Sequence, residues 1–333
     1  MEPPAIRSRR RPWPVAVWVA GFTAALALAY AADLTGRLPE LTDDPLAVLT
    51  GNPAGVAARF LLALAAATLL VGFVALGRLM SFRGQVGFVW LGLLVLLLVF
   101  FYGFDLKLSV IGAKFPYLAG LRLHQSGFLQ GAALTLFLCS ISIACSTVIG
   151  LVAGLCRLSS NPVAFGTATF YISFFRGTPL LVQVLLIYLG LPQIGLVISA
   201  IPAGIIALSL NYGAYLAEIF RAGIASIGHG QREAARALGL RPSIIMRKII
   251  LPQAMRVIVP PTGSQFIAML KDSSLVSLMG VWEIMFLARA YGRAEYRYIE
   301  MLLTAAALYW IMSIGFELVQ ARLERYYGKG FRR

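Results

Sequence analysis

Eight polar side chains interrupt long apolar runs in the second half of this sequence: Arg176, Gln183, Asn211, Glu218, Ser264, Lys271, Asp272 and Ser274. A charge at bilayer depth costs about 3 kcal/mol on insertion scales, so such residues usually face a cavity or a partner group. Arg176 carries a guanidinium fork that can grip a carboxylate through two parallel hydrogen bonds. Glu218 or Asp272 can hold an ammonium group. Structural readings compete at each position. Lys271 and Asp272 are adjacent and can be satisfied by other polar groups of the protein. Arg176 can snorkel to an interface. Glu218 and Arg221 lie three apart on one helix face and can simply pair.

These residues must be positioned by membrane helices. The chain has 333 residues, 59% hydrophobic and only 13% charged, against about 25% charged in soluble domains. The fold class is therefore an all-α integral membrane protein. Apolar runs predict about eight transmembrane helices: Trp13–Ala32, Phe60–Leu79, Val86–Phe104, Phe128–Leu155, Val163–Leu191, Ile201–Phe220, Ala254–Met285 and Ile299–Leu318. Ala29-Tyr30-Ala31 also suits a signal-peptidase site, which leaves a cleaved first segment as an alternative. The fifth run is interrupted by Arg176-Gly177-Thr178-Pro179, and the seventh by Pro260-Pro261 and by Lys271-Asp272. Interruptions of this kind expose backbone groups beside a cavity. Asp105–Gly127 and Arg289–Tyr298 read as outer loops. Gly150 and Gly154 form a small-xxx-small pair that lets helices approach closely, either in ordinary packing or at a dimer seam.

The net charge of +15 is concentrated between the spans. Orientation in the membrane and anionic lipid headgroups explain it better than nucleic acid does. Basic residues cluster at the N-terminus, at Arg78, Arg83 and Arg157, between residues 221 and 256, and in the tail. With eight spans these all fall on one side, which predicts that both termini are cytoplasmic. Cys139, Cys145 and Cys156 lie in one apolar run without metal-ligand spacing, so they read as free thiols, with no metal site. His124 and His229 read as surface residues.

One polar stretch, Glu218–Pro252, separates two apolar blocks on the cytoplasmic side. It predicts a helix over Gln231–Leu238, a stop at Gly239, and a second helix over Ser243–Ile250 that Pro242 opens and Pro252 ends. The spacing is specific: Glu233-Ala234-Ala235, three residues, Gly239, nine residues, Ile249, one residue, Leu251-Pro252. This pattern resembles the EAA loop of permease subunits of binding-protein-dependent ABC importers. Gly131–Leu136, Phe175–Gln183, Ala214–Arg221, Gly230-Gln231, Leu251–Gln253 and Lys271–Leu275 resemble the polar amino-acid branch of that family, the histidine, glutamate, glutamine and opine group. The likeness covers about residues 128–325. It departs at Ser264, where the branch usually has Asn, and at Gly228-His229, where it often has Pro-Lys.

The resemblance implies a five-helix importer permease core over residues 128–325, with a coupling loop at 226–252. A three-helix extension over 1–127 precedes it, and a basic cytoplasmic tail over 326–333 follows. Glu233, Ala234, Ala235, Gly239, Ile249, Leu251 and Pro252 would then dock on a cytosolic ATPase dimer. A second permease chain, the same or related, and an external substrate-binding protein would complete the assembly in the bacterial inner membrane, among membrane lipid. The substrate would be an amino acid, its carboxylate on Arg176 and its ammonium on Glu218 or Asp272. The chain lacks a phosphate-binding GxxxxGK[ST] motif, so ATP and magnesium are expected on the partner and no cofactor here. A secondary transporter or channel is the alternative, but it leaves the loop spacing unexplained. An intramembrane enzyme lacks any catalytic signature in this sequence.

Overall fold

The computed structural model describes residues 82–102 and 106–328. It divides into two units, Met1–Asp105 and Leu106–Arg333. In the first, the described part is helix α1, Phe82–Tyr102. It carries the run expected to span at Val86–Phe104. The runs at Trp13–Ala32 and Phe60–Leu79, and the alternative cleavage site, lie outside the described residues.

The second unit is helical throughout its described residues. Helix α2 (Leu108–Leu118) lies within the stretch expected as an outer loop. Its apolar face explains this: Leu118 is fully buried, with Val110 and Ile111 packed against Ile284, Leu287 and Met301. Helix α3 (Gly131–Arg157) runs along α6 (Ala200–Ala225). The two backbones touch because small residues face each other. A Cβ added at Gly150 would lie 2.7 Å from Leu216 Cβ and 3.0 Å from Gly213 O, and one at Gly154 would lie 2.8 Å from Ala217 O. The small-xxx-small pair is thus consumed by packing inside the chain.

Helix α4 (Pro162–Gly177) is opened by Asn161, whose side chain accepts from Val163 N and Ala164 N, with Pro162 at the first helical position. After Thr178 and Pro179 the chain continues as α5 (Leu180–Leu185) and a further helical stretch to Ile194, bent by 104° from α4. The expected interruption at Arg176–Pro179 is therefore a sharp break in one span.

Beyond α6 come α7 (His229–Ala237) and a short turn, α8 (Pro242–Ile244). A π-helical turn, Ile245–Ile250, then leads into α9 (Leu251–Asp272), which passes into a 3-10 segment, Ser273–Met279. Two expectations are corrected here. Pro252 does not end a helix; the chain continues helically through it. A proline inside a helix lacks the N–H for one backbone bond and crowds the carbonyl four residues back. The preceding π turn loosens that register, with Leu251 N–H reaching back to Met246 O. Pro260-Pro261 likewise lie inside α9 rather than breaking it. The bend comes later, at 51°, where Gly280 adopts φ +80° before α10 (Ile284–Ala294).

Helix α10 also takes the first half of the segment expected as the loop Arg289–Tyr298. Helix α11 (Tyr298–Gly328) extends past the predicted span end, so the described start of the basic tail is helical. The remaining tail residues lie outside the described part. By length and composition, α3, α6 and α11 can each cross a membrane, and the two bent pairs raise the number to five. That agrees with a five-helix core among the described residues.

Candidate functional site

Three helices meet around a cavity of about 530 Å³. The broken span contributes Arg176 to Leu180, α6 contributes Asn211, Tyr212 and Tyr215, and α9 contributes Gln265, Ala268 and Asp272. The break in the first wall is held open by amides. Gln183, 3% exposed, donates Nε2 to Phe175 O (2.9 Å), Thr178 O (3.1 Å) and Thr178 Oγ1 (2.8 Å). Asn211 donates Nδ2 to Phe175 O and to Gln183 Oε1, both at 3.1 Å. A helix that ends at membrane depth leaves carbonyls without partners. These two side chains supply donors to them. Gln183 is spent on this task, whereas Asn211 also lines the cavity.

Two charges of opposite sign face that space. Arg176 lays its guanidinium over the Tyr215 ring, Cζ 5.2 Å from the ring centroid. The contact orients a cation without neutralising it. Asp272, an exposed residue at the end of α9, accepts 2.8 Å from the Tyr212 hydroxyl. A carboxylate could therefore be held at one wall and an ammonium at another.

Of the eight sequence candidates, Arg176, Asn211 and Asp272 line the cavity and Gln183 braces it. The other four do not line it. Glu218, on the α6 face of Asn211 and Tyr215, forms a bidentate ion pair with Arg221. Ser264 is not among the lining residues and accepts 3.1 Å from Gln320 Nε2 on α11. Lys271 is exposed, and Ser274 is half-buried in the 3-10 segment. The sequence reading missed Tyr212, Tyr215, Thr178 and Gln265. Tyrosines one helical turn apart in an apolar run resemble core packing, and only their neighbours Asn211 and Asp272 mark them as polar-site residues.

At the other end of α6 the polar loop folds back on the helices. Arg232 donates Nη2 to Ile224 O (3.0 Å) at the end of α6. Ala235 is 3% exposed and packs with Phe220, Ile224, Ile245 and Ile250. Its small side chain therefore serves the contact of the loop with its own chain. Glu233 and Ala234 remain exposed, together with Leu238 at 78% exposure. Gly239 turns the chain with φ +71°, and a Cβ there would meet nothing within 4 Å. Ile249 and Leu251 are half-buried and Pro252 is exposed. The two histidines differ: His229 is exposed, but His124 is half-buried, edge-on to Trp282 with centroids 4.1 Å apart.

The family of binding-protein-dependent transport system inner membrane components matches residues 146–329 of this chain. The chain belongs to that family. The matched region contains the broken span, the cavity walls and the polar loop. The permease is 38% identical over 198 residues to the arginine transport system permease protein ArtQ of Bacillus subtilis, covering 59% of this chain and 90% of that protein. It is 40% identical over 207 residues to the "Probable amino-acid permease protein YxeN" of the same organism, covering 61% and 92%. Among solved structures, a crystal structure of an amino acid ABC transporter with histidines matches with TM-score 0.59 and 39% identity. That match covers 66% of this chain and 97% of the other. The relatives' sequences are thus nearly spanned, and the permease carries additional chain beyond them.

Proposed function

We propose that the permease forms one half of the translocation path of an ATP-driven importer for polar or charged amino acids. The observation that carries this reading is the cavity itself, where a cation at Arg176 and an anion at Asp272 face one space beside a broken helix. An amino acid presents a carboxylate and an ammonium, and each has a partner of opposite charge there. The cavity is open on one side, which suits closure by a second permease chain. The names of the similar proteins, which include amino-acid and arginine permeases, agree with that substrate class.

Coupling would use the loop at residues 226–252. Glu233, Ala234 and Leu238 offer an exposed charge, a flat spot and an apolar knob to a groove on a cytosolic ATPase dimer. Ala235 and Arg232 tie α7 back to α6, one wall of the cavity. Movement of the ATPase subunits would thus reach Asn211 and Tyr215 through a continuous helix. ATP and magnesium belong to the ATPase in this scheme. An external substrate-binding protein would deliver the amino acid, and both termini would be cytoplasmic in the bacterial inner membrane.

The test is reconstitution in liposomes with the ATPase, any second permease and the binding protein. Uptake of labelled arginine or glutamine should require internal ATP and should fall at least tenfold in Arg176→Ala. Uptake driven by a sodium or proton gradient without ATP would overturn the proposal.

A further inference from the structure

A second hollow, sharing no lining residue with the cavity, runs between α3, α6, α9 and α11 and has a volume of about 520 Å³. Ile224 and Leu251 mark its end nearest the polar loop, and Phe266 and Phe316, with ring centroids 4.6 Å apart, its other end. Its polar lining residues are Thr147, Thr262 and Gln320, and each spends its donor on the protein. The threonine hydroxyls donate to Ile143 O (2.7 Å) and Ile258 O (2.9 Å), and Gln320 Nε2 donates to Pro260 O (3.0 Å) and Glu324 Oε1 (2.9 Å). The groove therefore offers a ligand apolar contact and no free side-chain donor.

Shape narrows the choice of ligand. Along α9 the lining runs from Leu251 to Ile267, which at 1.5 Å per residue is about 24 Å. Spread over that length, the volume gives a mean section of about 20 Å², the thickness of one hydrocarbon chain. An α-helix about 10 Å across needs about 80 Å². A single acyl chain fits the groove, and a further protein helix does not.

Charge marks the loop end. Arg232 reaches Ile224 O with Nη2 at 3.0 Å, while its buried Nε has no partner among the described residues. Arg247 and Lys248 are exposed on the turn that leads into α9, four and three residues before Leu251. On a helix those spacings share a face. Among the described residues none of these three cations is in an ion pair. Of the carboxylates nearby, Glu218 is held by Arg221 and Glu324 by Gln320, and Glu233 is exposed.

We propose that this groove holds one acyl chain of an anionic phospholipid from the leaflet on the loop side, its phosphate lying on Arg232, Arg247 and Lys248. Clustered basic residues at a membrane surface attract anionic lipid. The acyl chain would brace α3 against α9 and α11. The headgroup would tie α7 and the turn before α9 to the membrane.

The experiment uses the full-length permease purified with its accompanying subunits, washed in detergent and offered equal amounts of palmitoyl-oleoyl phosphatidylglycerol and phosphatidylcholine. The two lipids differ only in the headgroup, and native mass spectrometry counts what each chain retains. The wild type should retain phosphatidylglycerol at least fivefold over phosphatidylcholine. Arg247→Gln combined with Lys248→Gln should erase that preference. Thr147→Trp, which fills the groove, should lower phosphatidylglycerol retention at least fivefold. Val148→Trp, at a position 65% exposed and outside the lining, should leave it unchanged. Thermal midpoints establish that each variant is folded, and Leu323→Trp fills the groove from α11 should Thr147→Trp fail to fold. Equal retention of the two lipids by the wild type would mean annular lipid only, and retention unaffected by a tryptophan in the groove would place the lipid elsewhere; either overturns the proposal. A photoreactive residue at Leu151 that cross-links to a protein segment instead of phospholipid would overturn it too, by showing that protein covers the groove.

Discussion

Tyr212 on α6 donates its hydroxyl to Asp272 on α9 at 2.8 Å, joining two walls of the cavity through one hydrogen bond. Because the acceptor is a carboxylate, the bond fixes the direction in which the negative charge is presented. Hydrogen bonds to charged groups are worth roughly 1.5–3 kcal/mol. Tyr212→Phe should raise the half-saturating concentration for uptake about threefold to tenfold while leaving assembly with the ATPase intact. Asp272→Asn should lower uptake at least tenfold. Both are read from initial uptake rates in proteoliposomes across a range of substrate concentrations. A Tyr212→Phe protein with wild-type kinetics would separate the hydroxyl from substrate handling.

The loop makes a second prediction. Gly239 has φ +71° in open space, so a side chain there meets no neighbour and only the backbone resists it. Left-handed backbone costs a non-glycine residue about 1–2 kcal/mol. Gly239→Ala should retain part of the uptake, whereas Gly239→Asp and Glu233→Lys should abolish it while membrane insertion continues. Membrane fractionation and co-purification with the ATPase distinguish failed coupling from failed insertion. Normal uptake by both Gly239→Asp and Glu233→Lys would remove the loop from coupling.

Close approach of α3 and α6 is required at Gly150. An added Cβ would stand 2.7 Å from Leu216 Cβ and 3.0 Å from a backbone oxygen. Overpacking typically costs about 1–3 kcal/mol. Gly150→Val should therefore lower the thermal midpoint of the detergent-solubilised protein by several degrees. Gly166→Val, on α4, where an added Cβ meets nothing within 4 Å, serves as the comparison. Equal midpoints for the two variants would contradict the packing.

Glu283, fully buried at the bend before α10, provides a fourth. Its carboxylate accepts from Phe286 N at 2.7 Å and from the Tyr309 hydroxyl at 2.5 Å, capping α10 and tying it to α11. Removing one partner leaves a buried polar group unsatisfied, at about 1–3 kcal/mol or more. Glu283→Ala should destabilise the protein more than Tyr309→Phe. Differential scanning fluorimetry of the two variants checks the order, and a milder effect of Glu283→Ala would refute the capping role.

How far the sequence reached is best seen at particular residues. The break at Arg176–Pro179 was legible because glycine and proline leave few helical options, and the packing of Gly150 and Gly154 because small residues at that spacing invite a neighbour. Gly239 was legible as a stop because glycine adopts left-handed backbone at little cost. Pro252 and Pro260-Pro261 misled, since a π turn and surrounding helices accommodate prolines that would end an isolated helix. The helix α2 was missed because its apolar face becomes meaningful only against α10 and α11.

By itself, then, the sequence determined that the chain is a helical membrane protein with broken spans and a polar loop of specific spacing. Composition and local backbone chemistry act over a few residues, and those features need nothing more. Only the tertiary structure decided that Arg176, Asn211 and Asp272 share a cavity while Ser264 turns to Gln320. It also decided that Glu218 is paired with Arg221 and that Ala235 faces inward. Helical periodicity says which residues share one face of one helix. Which faces meet depends on how helices cross, and that is set by packing between residues far apart in the chain.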